Sequence, residues 1–403
     1  MSNDTRNTKG LNPADRLATV PLSGIRKVFD RVKELEAEGK DVIHWQIGRP
    51  DFDTPVHIKK AAADALQRGE VHYAPNLGIP ALRKAIGDRT TIDTGVVVDG
   101  MKQASVMAGA NEGIMVSMMA FIQPGDEVLV SDPNWHHYKT CVTLAGGTPI
   151  EVPTREEDGF VMVPEVVERL ITPKTKMLCI TSPGNPTGCV QSKESLEALS
   201  KLAIKHNLLV MSDEIYARIY HGKGVIAPSI YSIPGMAERT IIINGFSKTY
   251  AMDGWRLGWT VASEELTKSI LKVRQYTTVC VNTFIQHGAA VALSGDQKCV
   301  DDMVGEFSKR RKVMLEGLRA IPGVTVVEPE GAFYLFPSIK SFGKSSAEVA
   351  DYLLNEYHIA AVAGSVFGAA GEGYLRLAYS CSLEECQRGI ERLGKALGQL
   401  GKK

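Results

Sequence analysis

The stretch Ile241-Ile242-Ile243-Asn244-Gly245-Phe246-Ser247-Lys248-Thr249-Tyr250 decides the reading of this chain. Three β-branched residues run into a small-residue loop, as a buried strand does at its end, and a lysine stands in that loop. Taken alone, Ser247-Lys248 reads as a surface lysine after a buried strand, because lysines mostly stay in water. A lysine kept among polar walls beside a fixed cation has a lowered pKa and acts as an amine nucleophile or base. Arg256 follows eight positions on. Which reading holds depends on the rest of the chain.

Outward from that strand, short apolar runs alternate with helix-length segments from about residue 100 to 265. The pattern predicts strands at 106–108, 127–131, 148–152, 176–181, 208–212, 240–244 and 258–262, with helices at 111–121, 136–145 and 193–206 among others. This alternation reads as an α/β layer structure with a mostly parallel sheet, whose ligands gather beyond the carboxyl ends of the strands. After about Glu264 the texture changes. Helices are expected at 266–276, 301–321, 347–356 and 383–400, and strands at 324–327, 333–337 and 374–378, as in a second, α+β lobe. A helix near 24–38 is expected to pack on that lobe. We expect a large domain over 51–299 and a smaller one built from 1–50 and 300–403.

The bulk numbers narrow the function. At 403 residues the chain exceeds one ordinary core. Its 46 basic and 46 acidic side chains give no global field that favours nucleic acid or an anionic membrane. The polar start, Met1 to Lys9, lacks the apolar core of a secretion signal, and no apolar run is long enough to span a bilayer. Seven scattered cysteines without a Cys-x-x-Cys pair argue against a disulfide framework or a metal site and suit a cytoplasmic protein.

Four further segments bear on Lys248. Met107-Ala108-Gly109-Ala110-Asn111-Glu112-Gly113 is a strand end followed by small residues and a helix start. It is either an ordinary tight turn or an anion site made of free backbone N–H groups and the helix dipole. Ser247 and Arg256 offer a hydroxyl and a guanidinium to complete such a site, unless Arg256 merely stacks on Trp255 or Trp259. Leu208-Leu209-Val210-Met211-Ser212-Asp213-Glu214-Ile215-Tyr216 is an apolar strand that stops in two carboxylates. Asp213 is either a helix N-cap or the partner of a protonated pyridine nitrogen, with Tyr216 close by. In Thr181-Ser182-Pro183-Gly184-Asn185-Pro186-Thr187-Gly188, two prolines and two glycines fix a loop around Asn185. Gly373-Tyr374-Leu375-Arg376-Leu377-Ala378-Tyr379-Ser380 alternates like a strand. Its arginine lies on an edge in water, or faces inward and must meet an anion such as a carboxylate. Together these parts describe a site for pyridoxal 5′-phosphate. A lysine meets the aldehyde, a carboxylate the ring nitrogen, donors the ring oxygen, an anion cradle the phosphate, and an arginine the carboxylate of an amino acid.

The same residues resemble the class I/II aminotransferases of pyridoxal-phosphate fold type I, over about 23–400. The resemblance is carried by Ser182 to Gly188, Ser212 to Tyr216, Gly245 to Tyr250 with Gly254-Trp255-Arg256, and Gly331-Ala332-Phe333-Tyr334. Ile47 to Pro55 and His72 to Gly78 add to it, and Ser23 to Phe29 is similar to bacterial and archaeal aspartate- or aromatic-type members. The resemblance implies that Lys248 binds the cofactor covalently and moves the proton, that Asp213 pairs with the ring nitrogen, and that Asn185 and Tyr216 bond the ring oxygen. It implies that Gly109, Ala110, Asn111, Ser247 and Arg256 hold the phosphate and that Trp135 stacks on the ring. It further implies that Arg376, with Asn185 and the Gly48 backbone, grips the substrate carboxylate, and that Tyr73 reaches the phosphate of a neighbouring subunit in a homodimer.

Three positions depart from the family's common pattern. Asp253 stands where many members have threonine, Arg49 where many have glutamate or another residue, and Asn111 where some aspartate-specific members carry lysine. Arg49 reads either as a surface or closure ion pair or as a receptor for a side-chain carboxylate. The expected reaction moves the amino group of an L-amino acid to a 2-oxo acid by a ping-pong route. Aspartate, aromatic and neutral donors stay open, and the alternative is a C–S lyase or related cyclase on the same fold. An amino-acid-sensing module is disfavoured, since only about 20 residues precede the fold and nothing basic is appended.

Overall fold

The computed structural model describes residues 13–20, 22 and 24–400; the polar start and Ser23 lie outside them. Among the described residues, seven strands form one sheet. Their spatial order is Ala104–Met107, Gly258–Val261, Thr240–Gly245, Leu209–Asp213, Thr175–Thr181, Glu127–Asp132 and Thr148–Pro153. Gly258–Val261 runs antiparallel to both of its neighbours. The other pairings are parallel. All seven sit within two residues of the ranges predicted from apolar runs. The central strands are apolar on both faces because both faces are covered. On one side, Ile114 and Val116 of the helix Ala110–Phe121 pack with Met107, Met211 and Ile243. On the other, Leu196, Leu199 and Ala203 of Lys193–Lys205 pack with Leu178, Ile180 and Val210.

The change of texture at Glu264 does not mark the edge of this layer. The helix Glu264–Arg274 buries Ile270 in the same core as Ile114 and Val116. The helix Thr283–Ser294 packs with Val56–Gln67 and Pro80–Thr94, burying Ile285 and Ala289 against Ile58, Leu82 and Ile86. Gly288 lets two of these helices touch, since a Cβ there would lie 2.9 Å from the Ile58 carbonyl oxygen. These helices bury their stripes mostly on one another, which sequence periodicity alone does not assign to a layer.

The second core gathers Trp45, Phe307, Leu318, Phe333, Leu377 and Leu397 around a small antiparallel sheet of Val362–Ala363, Leu375–Ala378 and Tyr334–Leu335. Ile43–His44 pairs parallel with Ile359–Ala360, so the N-terminal segment enters this core. The helix Gly24–Ala37 buries Val32 and Leu35 against Leu354 and Ala360, as expected. The strand predicted at 324–327 does not form. Thr325 makes a single bridge to Ser338, after which the partner turns into the 3₁₀ segment Lys340–Phe342 and offers no further edge. No helix among the described residues is long and apolar enough to cross a membrane.

Trp45 is fully buried, and a Cβ added at Gly389 of the last helix would lie 2.2 Å from its ring. Trp45→Ala should therefore leave a cavity where the N-terminal segment meets the C-terminal helix. A loss of about 3–5 kcal/mol is expected, read as a lowered melting temperature.

Candidate active site

At the carboxyl ends of the strands lies a cavity of about 290 Å³. A hollow of about 630 Å³ near Val20, Lys139 and Val366 is larger, but the smaller cavity is where ionisable groups are withdrawn from water. Neighbouring strands deliver those groups. Leu209–Asp213 ends on Asp213, and Thr240–Gly245 leads to Ser247 and Lys248. Thr175–Thr181 leads to the Asn185 loop. Ala104–Met107 leads through Gly109 to Ala110 and Asn111 at the start of the next helix. The small lobe adds Arg376 from Leu375–Ala378, and the N-terminal segment adds Gly48. Ala110, Asn111, Trp135, Asn185, Asp213, Tyr216, Ser247, Lys248, Arg256, Gly48 and Arg376 all line the cavity.

No helix follows Asp213, so it is not an N-cap; the chain turns there and Asp213 Oδ1 accepts the Ile215 N–H at 3.0 Å. Its Oδ2 accepts the Tyr138 hydroxyl at 2.6 Å. Burial pushes Asp213 up to about 6, while the Tyr138 hydroxyl, the Ile215 N–H and the charge of Lys248 pull the other way. The Lys248 amine donates to the Gly48 carbonyl and lies 5.9 Å from the ring centroid of Tyr216. Its value falls to about 8, chiefly through loss of hydration, with Asp253 and Asp213 opposing the fall and Arg376 and Arg256 adding to it. Behind Asp213, Glu214 is buried, accepts the Ser212 and Ser229 hydroxyls, and is raised by burial to about 7.

Arg376 sits in the middle strand of its sheet rather than on an edge. It is 2 % exposed, donates to the Gln46 carbonyl at 2.7 Å and to Asn185 Oδ1 at 3.3 Å, and its buried Nε has no partner among the described residues. Arg256 adopts φ 54 and donates to the Asp253 carbonyl. A Cβ at Gly109 would lie 2.6 Å from Arg256 Nη2, and Gly109 sits at φ 83, a backbone conformation that favours glycine. Glu112 accepts the Ala108 N–H and the hydroxyls of Thr277 and Thr278, each at 2.6 Å, and so fixes the turn. Trp135 stacks on His137, centroids 4.7 Å apart.

Gly109 is not itself in the lining, although Ala110 and Arg256 beside it are, and two further expectations fall outside the cavity. Tyr73 is 88 % exposed, beside Val71, Cys280 and Phe284. Arg49 is exposed and is not part of the lining. Conversely, Phe29, Gln46, Tyr138, Thr181, Asp253 and Tyr334 line the cavity, yet sequence reasoning gave none of them a contact with the ligand. Tyr334 belonged to a quoted motif without a role. Tyr138 had only its place three residues after Trp135 as a signal.

The model of the family described as aminotransferase class I and II matches residues 40–393. The chain belongs to that family. It is 43% identical to the aspartate aminotransferase of Pyrococcus abyssi over 386 residues, covering 95% of this chain and 98% of that one. It is 41% identical to aromatic-amino-acid aminotransferase 2 of Thermococcus litoralis, with the same coverage. Its fold superposes with a TM-score of 0.91 on the Thermus thermophilus aspartate aminotransferase solved with maleate, at 35% identity, covering 96% of this chain and all of that one. The aminotransferase uses pyridoxal 5′-phosphate to move amino groups between amino acids and 2-oxo acids.

The donor set fits that cofactor. A bare helix N-terminus faces a guanidinium across Gly109, which suits a phosphate. Asp213 and the Lys248 amine share one cavity, and Arg376 brings a guanidinium to the same lining, which suits a carboxylate.

An aspartate whose folded value lies above its ordinary 3.8 holds a proton that the unfolded chain has already released. Stability therefore falls as pH rises from about 4 to about 6. Cofactor-free Asp213→Asn escapes this loss and should gain on the wild type by roughly 3 kcal/mol at pH 7. Melting curves between pH 4 and 8 read the difference, and Tyr138→Phe should extend the window to higher pH because it removes a donor to the anion.

Proposed function

We propose that Lys248 is the amine that takes up the cofactor aldehyde and later carries the proton on the substrate carbon. The observation that carries this reading is the desolvated Lys248 amine, with a value of about 8, in one cavity with Asp213 and Arg376. When bound, pyridoxal 5′-phosphate supplies an aldehyde and a ring that accepts the electron pair left on the substrate carbon. Near pH 8 the Lys248 amine is neutral in about half the molecules, so it can attack a carbonyl and accept a proton. Asp213, which Tyr138 and the Ile215 N–H help keep ionised at that pH, would hold the ring nitrogen in its protonated form. Asn185 and Tyr216 donate to the ring oxygen, and Trp135 covers the ring. Gly109, Ala110, Asn111, Ser247 and Arg256 hold the phosphate. Arg376 orients the substrate through its α-carboxylate, with Asn185 and the Gly48 backbone beside it.

In this reading the chain works as a cytoplasmic homodimer, and Tyr73 contacts the phosphate held by the partner subunit. The exposure of Tyr73 away from its own cavity supports that assembly, and seven free thiols suit a reducing compartment. Residues 51–299 form the large cofactor-binding domain, and 1–50 with 300–403 the small one. The packing of Ile43 and Trp45 with Phe307 and Leu397 supports that division.

Borohydride treatment of the wild type should fix the cofactor on Lys248, seen by peptide mass analysis. Lys248→Ala should bind the cofactor without fixation and lose turnover to background with any amino acid and 2-oxoglutarate. Full transamination by this variant would remove Lys248 from the role.

The shared site is tested by mixing inactive Lys248→Ala with Tyr73→Phe. Tyr73→Phe alone should weaken cofactor binding by about tenfold, the worth of one hydrogen bond to a charged group. The mixed dimers should recover tight binding at the site that faces the intact Tyr73.

A further inference from the structure

We propose that Tyr334 is a positioning residue that aims the Tyr216 hydroxyl at its ligand. This rests on the role given above to Tyr216. The two hydroxyl oxygens are 2.8 Å apart, and the rings meet edge to face at 80°. Both side chains are buried and both line the cavity. A Tyr216 hydroxyl that donates to the ring oxygen has spent its only proton, so the bond between the tyrosines must run from Tyr334 to Tyr216. A hydroxyl that accepts a hydrogen bond becomes the stronger donor in its own right. Tyr334 therefore both fixes the direction of the Tyr216 O–H and strengthens it.

The surroundings of Tyr334 hold it to this task. The Arg376 guanidinium lies over its ring, Cζ 4.8 Å from the centroid, inside the reach of a cation–π contact. A Cβ at Gly48 would lie 2.7 Å from the Tyr334 oxygen, so the bare Gly48 backbone forms the wall behind the hydroxyl. The turn that delivers Tyr334 is strained and locked. Ala332 is fully buried at φ 56, a conformation non-glycine residues hold only where the surroundings impose it. A Cβ at Gly331 would lie 2.4 Å from Pro183, and the Gly331 N–H donates to the Gly188 carbonyl at 3.0 Å. The Tyr334 turn is thus pinned to the loop that carries Asn185.

The readout is the visible absorbance of the bound cofactor in the resting holoenzyme, titrated with pH. A donor on the ring oxygen favours its anion and lowers the midpoint. Tyr334→Phe keeps the ring under Arg376 and removes only the hydroxyl, so the midpoint should rise by about half a pH unit, roughly threefold in the protonation constant. Gly48→Ala, which crowds the same hydroxyl from behind, should move it in the same direction. In a Tyr216→Phe background, Tyr334→Phe should add nothing. An unchanged midpoint in Tyr334→Phe, or an equal rise in both backgrounds, overturns the proposal while leaving Lys248 and Asp213 in their roles. Should Tyr334→Phe not take up the cofactor, Gly48→Ala decides by the same criteria. A wild type without a visible band fixed by Lys248 would instead overturn the functional reading itself.

Discussion

Removing charge from water is the constraint around which this molecule is arranged. An amine, a carboxylate and a guanidinium share one small cavity, and each would be costly there alone. Asp213 is tolerated because two donors, Tyr138 and the Ile215 N–H, meet its oxygens. Arg376 is tolerated because the Gln46 carbonyl and Asn185 accept from it. Lys248 gives way instead, its affinity for a proton falling to about 8. The set is not closed, since Arg376 Nε stays buried without a partner. A site left short of anions in this way draws in a phosphate and a carboxylate and rewards their arrival with contacts already in place.

The sheet makes the arrangement possible. Thr175–Thr181, Leu209–Asp213 and Thr240–Gly245 are neighbours in parallel register, with Thr181 opposite Asp213 and Asp213 opposite Ile243. Parallel strands in register end together, so the residues just beyond them stand side by side although long helices separate them in sequence. Asn185 and Lys248, four and three residues past their strand ends, thereby converge with Asp213 on one cavity. Groups that must act on one ligand need that closeness.

What could be read from the chain follows from this geometry. An apolar run that stops in Asp213-Glu214, or in Ser247-Lys248, is a local event, and the sheet strands were predicted within two residues. A contact between distant segments leaves no such mark. Tyr138 meets Asp213 across 75 positions and Tyr334 meets Tyr216 across 118. Before folding, both were aromatic residues of the kind cores use everywhere. The stretch 324–327 is apolar enough for a strand, but strand formation needs an edge, and the partner turns away after one bridge.

Three of the seven non-glycine residues at positive φ among the described residues lie in turns that lead to the cavity. Arg256 and Ala332 hold positive φ, as does Ala251, three residues after Lys248. Each is pinned from elsewhere. Arg256 donates to the Asp253 carbonyl, the Ala251 carbonyl accepts the Thr54 hydroxyl at 2.7 Å, and the Ala332 carbonyl accepts the Tyr379 hydroxyl at 3.1 Å. Strain of this kind costs about 1–3 kcal/mol per residue and persists only when its neighbours outweigh it. Relaxing any one of these turns would shift Arg256, the lysine loop or the tyrosine pair away from its present partners. The packed sheet and the C-terminal core therefore hold, before any substrate binds, the directions that the chemistry requires.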